Sequence, residues 1–407
     1  MLASLAHSDT ILFQLFVIFA VAKLSAEIFE RLKQPAVVGE ILAGVLIGPS
    51  VLGWIHPNEI TSVLSELGVI FLLFSVGLEI NASSLFKVGG RALAVGMGGV
   101  LLPFFVGWGL MSFKGEPTIE GVFIGAAMVA TSVGITARVL AALGRLSEET
   151  SQIIMAAAVI DDILGLLVLS VVSSLAQGEV KIQELFISSG ISIAFVLFMI
   201  LVGTKIVRRS RPALEKLKVG HAFFVVGLIL CLGLSYLASI AGVAAIIGAF
   251  LAGMALAELG EDTSLHHFSS GVTELLVPFF LVGIGLQLDL QVFKESSVIV
   301  LALIVTLLAV ITKIVGCGIP ALALGKKAAL KIGIGMVPRG EVGIIVAQIG
   351  LSMGVLTQSL YGVMVFMAVA TTLIAPPLLK ILFREPSIPT SLEESVLELE
   401  QEVSELN

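Results

Sequence analysis

Two adjacent acids, Asp161 and Asp162, stand in the middle of the apolar run AAAVIDDILGLLVL. A charged side chain at the centre of a bilayer costs roughly 2.5–3.5 kcal/mol on insertion scales, so an intramembrane carboxylate is a functional group by default. Consecutive helical residues point about 100° apart, so the two acids do not share one partner. One can hold a countercharge while the other faces a water-filled cavity, where a carboxylate binds either a proton or a cation. The available countercharge is Lys313, inside LLAVITKIVGCG. A buried ammonium serves as a fixed partner or releases its proton when its surroundings change, and the sequence leaves both roles open.

Two further segments carry polar groups into apolar runs. ATSVGI holds Thr131 and Ser132, and PRGEVGI holds Arg339 and Glu341. Small, β-branched and helix-breaking residues interrupt the helical ladder there, which membrane proteins tolerate where the opened backbone lines a cavity. Two broken helices crossing beside Asp161 and Asp162 are therefore expected. Thr131 and Ser132 would supply hydroxyl and carbonyl oxygens, while Arg339 and Glu341 would neutralise the half-helix ends. The alternative is a hydroxyl back-bond in the first segment and a Pro338 kink in the second. Glu40, in VVGEILAG, is a candidate lining residue of a cytoplasmic funnel; Glu79 ends a helix and reads as interfacial. Cys231 and Cys317 lie apart in apolar runs and read as packing, and the five histidines have no metal-ligand spacing.

The elements that position these groups follow from composition. Of 407 residues, 57% are hydrophobic and 13% charged, with mean hydropathy +1.10. Soluble domains carry about 25% charged residues, so a soluble globular chain is excluded. At about 20 residues per crossing the chain accommodates thirteen helices with short connections. Among them are Ala36–Gly53, Ile119–Leu143, Leu185–Val207, Val272–Leu288 and Ala328–Met353. The N-terminal run reads as a retained first helix rather than a cleaved leader. Seventeen of the 23 Lys and Arg residues fall in loops on one side, which places the N-terminus outside and the C-terminus in the cytoplasm. The net charge of −7 resides in the tail from Glu385 to Asn407, with seven acids and no cation; no basic face suits nucleic acid.

An internal repeat recurs at an offset of about 209 residues. VVGEILAG pairs with IIGAFLAG, MVATSVGI with MVPRGEVGI, and AVIDDI with AVATTL. Each copy has five helices, and an odd number inserts the copies with opposite polarity. Such inverted repeats belong to secondary transporters. The expected fold class is an all-α polytopic membrane protein with two inverted five-helix repeats and crossed broken helices.

The motifs ATSVGITARVL, AAAVIDDILGLLVL, ITKIVG and GMVPRGEVGIIVA, extended by QPAVVGEILAGVLIGPSVLG and GVIFLLFSVGLE, make the chain similar to bacterial monovalent cation/proton antiporters of the NapA type, in the group that also holds the Kef and GerN transporters. The resemblance covers nearly the whole membrane region. It implies a homodimer in the bacterial inner membrane, with panel helices in residues 10–88 and 219–290 and a moving core in 89–176 and 296–383. Residues 177–218 would link them, and 385–407 form an acidic tail without the nucleotide-binding domain of Kef proteins. The resemblance makes Asp162 the main ion and proton carboxylate, Asp161 the partner of Lys313, and Thr131 and Ser132 part of the broken helix.

The expected activity is exchange of Na⁺ or Li⁺ for H⁺ by elevator-type alternating access, the ions competing for the aspartate pair and net charge moving in each cycle. K⁺/H⁺ exchange is the alternative reading; a cation channel or a membrane sensor on a transporter fold are others. No nucleotide motif is present, so neither a primary pump nor a cofactor is expected, and the chain is not read as an enzyme. In the tail, Leu392, Val396, Leu399, Val403 and Leu406 recur at heptad spacing, consistent with a regulatory or dimer-supporting helix or a solvated one.

Overall fold

The computed structural model describes residues 2–80, 82–176, 182–214, 216, 219, 221–257 and 263–384. Among these residues the regular elements are all helical. The order is α1 (Leu2–Arg31), α2 (Ala36–Ile47), α3 (Glu59–Leu78), α4 (Ala82–Phe113), α5 (Thr118–Val129), α6 (Val133–Ala142), α7 (Glu149–Ala176) and α8 (Ile182–Phe198). It continues with α9 (Thr204–Leu214), α10 (Ala222–Ile240), α11 (Ala245–Ala257), α12 (Thr263–Leu286), α13 (Ser296–Gly318), α14 (Lys326–Gly335), α15 (Glu341–Ser352) and α16 (Gln358–Leu382).

Ten helical segments among the described residues are long and apolar enough to cross a membrane, one of them comprising α5 and α6 together. The helices α2, α11 and Val342–Ser352 are apolar but shorter. Local chemistry accounts for several ends. The expected helix Ala36–Gly53 stops at Ile47, before Gly48 and Pro49, because proline disfavours helical conformation in the residue before it. Asn58 and Thr61 cap α3 reciprocally, each side chain accepting from the other's backbone N–H. The expected Val272–Leu288 begins earlier, at Thr263, so His266 and His267 lie on α12 instead of in a loop. The expected Leu185–Val207 runs through a π-helical turn, Met199–Gly203, into α9.

Two bundles emerge from the packing. In the first, α3 lies against α11 and α12, α2 against α1 and α12, and α10 against α11. In the second, α4 lies against α5, α7 and α13, and α13 against α14 and α16. Glycine permits the closest crossings. A Cβ at Gly316 of α13 would collide with the Gly98 carbonyl oxygen of α4, so the two backbones are in direct contact. Gly77 and Gly253 bring α3 and α11 together in the same way. Large apolar side chains face outward, including Phe16, Leu24, Ile229 and Leu307, each more than half exposed. That surface suits lipid rather than water.

The repeat is visible in the elements. α2 starts at Ala36 and α11 at Ala245, and the break after α5 corresponds to the break after α14. Asp161 and Asp162 on α7 have Thr371 and Thr372 as counterparts on α16.

Candidate ion-binding site

The helical ladder opens at Ala130–Ser132 between α5 and α6 and at Val337–Gly340 between α14 and α15, and the two openings meet. Ser132 donates its backbone N–H to the Pro338 carbonyl at 2.7 Å. Thr136 donates its hydroxyl to the Gly335 carbonyl at 2.7 Å, and Thr131 reaches the Met336 carbonyl at 3.4 Å. Gly340 is pressed against Ser132, whose Oγ would stand 2.7 Å from any added Cβ. Thr131 and Ser132 are buried. The ends of four half-helices thus converge on one interior region, the arrangement in which discontinuous helices meet ions.

Arg339 is fully buried and answers one of those ends. Its Nη1 donates to the carbonyls of Val129 and Ala130, the last residues of the α5 side, at 3.1 and 2.9 Å. Its Nη2 donates to Ala309 of α13 at 3.2 Å. A cation at a helix C-terminus stabilises the partial negative charge of end carbonyls such as those of Val129 and Ala130, and the guanidinium reaches a third carbonyl, within α13, at the same time. The peptide of Arg339 is itself fixed from α16. Its N–H donates to Thr371 Oγ1 at 3.3 Å, and Thr372 donates its hydroxyl to the Arg339 carbonyl at 2.7 Å. Sequence reasoning did not single out these threonines, although the repeat had already set them opposite Asp161 and Asp162. Glu341 is the first residue of α15; its side chain lies outside the described residues.

Lys313 and Asp161 form an ion pair at 2.8 Å with both side chains fully buried. Their seal is α4, for a Cβ at Gly99 would meet Lys313 Nζ at 3.1 Å and Cys317 Sγ at 2.7 Å. Asp162 follows on α7, 3% exposed. Ala309 and Lys313 are one turn apart on α13, so this helix carries both the carbonyl that Arg339 grips and the ammonium that Asp161 grips. Among the described residues no three His, Cys, Asp or Glu side chains gather as a resident metal centre.

Glu40 is set apart from this site. It is 1% exposed, with Oε1 3.7 Å from Nζ of Lys23 on α1. The open space is elsewhere. A cavity of about 1180 Å³ separates the two bundles at the end where α2 and α12 terminate, lined by Ser65, Val69 and Phe280 on one wall and Leu169, Val342 and Tyr361 on the other. Val69 and Phe280 also pack on Gly134, two residues beyond Ser132, and so stand between this cavity and the broken helix.

Residues 16–385 match the family described as "Sodium/hydrogen exchanger, transmembrane". The chain belongs to that family. This exchanger is 36% identical to the high-affinity Na⁺/H⁺ antiporter NhaS3 of Synechocystis sp., over 92% of this chain and 90% of that protein. It is also 36% identical to the Na⁺/H⁺-K⁺ antiporter GerN of Bacillus cereus, over 91% of this chain and 96% of that protein. Its fold is similar to that of the sodium proton antiporter MjNhaP1 of Methanocaldococcus jannaschii, with TM-score 0.66 and 19% identity over 92% of this chain and 98% of the other. The exchanger is thus a multi-pass membrane protein of the antiporter fold, as its motifs implied.

Proposed function

We propose that this exchanger moves Na⁺ or Li⁺ against H⁺ across a bacterial inner membrane by alternating access. The observation that carries the reading is the buried constellation of two meeting helix breaks, a Lys313–Asp161 pair and the adjacent Asp162. A hard cation and a proton compete for carboxylate oxygen, so binding of one drives release of the other. Asp162 is the exchanging carboxylate. Asp161 is held by Lys313, which yields its own proton or keeps Asp161 charged through the cycle. Thr131 and Ser132 add oxygen ligands, and Arg339 holds the break open without entering it. Glu341 completes the charge balance at the second break.

The first bundle is read as the panel that dimerises and the second as the core that slides against it as an elevator. Two titrating groups against one monovalent ion make the cycle electrogenic. The lipid bilayer surrounds the exposed apolar faces, with the N-terminus outside and the C-terminus in the cytoplasm.

The test is proton movement in proteoliposomes, followed with a pH-sensitive dye at clamped voltage. Na⁺ and Li⁺ should drive it in the wild type, and Asp162→Asn should abolish it while leaving the protein folded. Normal exchange by that variant would remove Asp162 from the mechanism. K⁺ belongs in the same assay, because the name of the Bacillus cereus relative includes that ion. A response to K⁺ alone would replace Na⁺/H⁺ exchange by K⁺/H⁺ exchange. Steady conductance without proton coupling would indicate a channel.

A further inference from the structure

The two bundles meet differently at their two ends. At one end they part around the 1180 Å³ cavity. At the other, four charges from four helices close the seam. Arg138 on α6 places Nη2 2.9 Å from Oε1 of Glu274 on α12. Lys23 on α1 places Nζ 2.8 Å from Oε2 of the same carboxylate, and 3.7 Å from Glu40 Oε1 on α2. Three of these residues belong to the first bundle. Arg138 comes from α6, the half-helix that begins immediately after Thr131 and Ser132.

Arg138 is seven residues from Thr131, about two helical turns. A displacement of the broken helix is therefore transmitted to Arg138 through a short rigid segment. Any sliding of α6 along α12 that closes the cavity at one end draws Arg138 away from Glu274 at the other. Lys23 remains with Glu274 throughout, because both are on the first bundle, and keeps the carboxylate oriented for the return.

We propose that Glu274 is a positioning residue for transport: through Arg138 it latches the ion-bearing half-helix to the first bundle and favours the conformation in which the cavity is open. This inference rests on the alternating-access reading. The side chains are partly exposed, Arg138 by 21% and Glu274 by 51%. An ion pair of that exposure biases a two-state equilibrium by a few-fold, about threefold, which suits a latch that must open in every cycle.

The experiment introduces Ser65→Cys on the cavity wall, with the buried native Cys231 and Cys317 left in place, and measures the rate of labelling by a polar maleimide in lipid nanodiscs. Glu274→Gln and Arg138→Gln should each slow labelling, by up to about threefold, and the double variant should be no slower than either single one. Glu274→Asp, which keeps the charge, should label at nearly the wild-type rate. Unchanged labelling in both neutral variants, multiplicative slowing in the double variant, or an Asp variant as slow as the Gln variant would overturn the latch. Should Glu274→Gln fail to fold, Arg138→Gln carries the test. Wild-type exchange in proteoliposomes is measured in parallel. Its absence would remove the transport reading, whereas normal exchange with labelling insensitive to both substitutions removes only the latch.

Discussion

The Asp161–Lys313 pair is buried on both sides, and that burial determines how each partner responds to loss of the other. Removing one member of a buried pair leaves a charge without compensation, at a cost of about 3–5 kcal/mol, whereas neutralising both is far milder. Lys313→Met should therefore lower the thermal unfolding temperature markedly. Asp161→Asn in the same chain should recover most of the loss. A double variant as unstable as Lys313→Met alone would mean that α13 depends on the ammonium for something other than this contact. Asp162, by contrast, is expected to affect exchange more than stability, so the two neighbours separate by readout. The acids and the lysine were legible in the sequence because mid-bilayer charges are costly and hence conspicuous. The surroundings of Glu40 were not legible for the opposite reason: Lys23 reaches it from another helix, and no local pattern reports such a contact.

At the scale of elements, position depends on backbones that approach closely and on side chains that span gaps between helices. Gly316→Ala forces a methyl against the Gly98 carbonyl and should push α13 from α4, costing about 1–3 kcal/mol and impairing exchange with it. Gly89→Ala, on α4 with nothing within 4 Å of its Cβ, should be neutral or stabilising by up to about 1 kcal/mol. Thermal unfolding of the two variants side by side checks the contrast, and equal effects would refute the close-crossing argument. Arg339→Lys is the corresponding test of the broken helices. An ammonium cannot reach Val129, Ala130 and Ala309 together, and each charge-assisted bond lost is worth about 1.5–3 kcal/mol, so both unfolding temperature and exchange rate should fall. The breaks themselves were readable from ATSVGI and PRGEVGI, since their residue types oppose a continuous helix. The carbonyls that Arg339 grips were not, because nothing near Arg339 in the chain encodes Ala309. Thr371 and Thr372 were recoverable in principle from the repeat, but threonine in an apolar helix looks like an ordinary back-bonding residue. The π-helical turn at Met199–Gly203 left no mark in apolar periodicity.

At the scale of the molecule, the loop end that carries the basic residues has its own fastening, separate from the buried site. Glu148, in the turn before α7, accepts from Lys331 of α14 at 3.0 Å and from Arg145 at 3.0 Å. Lys331 also lies 3.9 Å over the Phe383 ring at the end of α16. Partial burial pushes the Glu148 carboxyl upward, but the hydrogen bond and charge of Lys331, with those of Arg145, outweigh it and hold the group below its ordinary value of 4.5. A carboxyl depressed on folding contributes stability above its unfolded value and loses that contribution as pH falls through the folded value. Glu148→Gln should therefore destabilise the protein modestly at pH 7, by less than about 1 kcal/mol for pairs this accessible, and the difference from the wild type should shrink as the pH is lowered below 4.5 through the folded value. Because Glu148 stays ionised from pH 6 to pH 9, its substitution should leave the pH midpoint of exchange where it is in the wild type. Unfolding followed from pH 7 downward, together with a pH profile of dye-reported exchange, tests both halves. A displaced transport midpoint would mean that the fastening at this end senses protons, and that the pH dependence of the carrier does not belong to its buried aspartates alone.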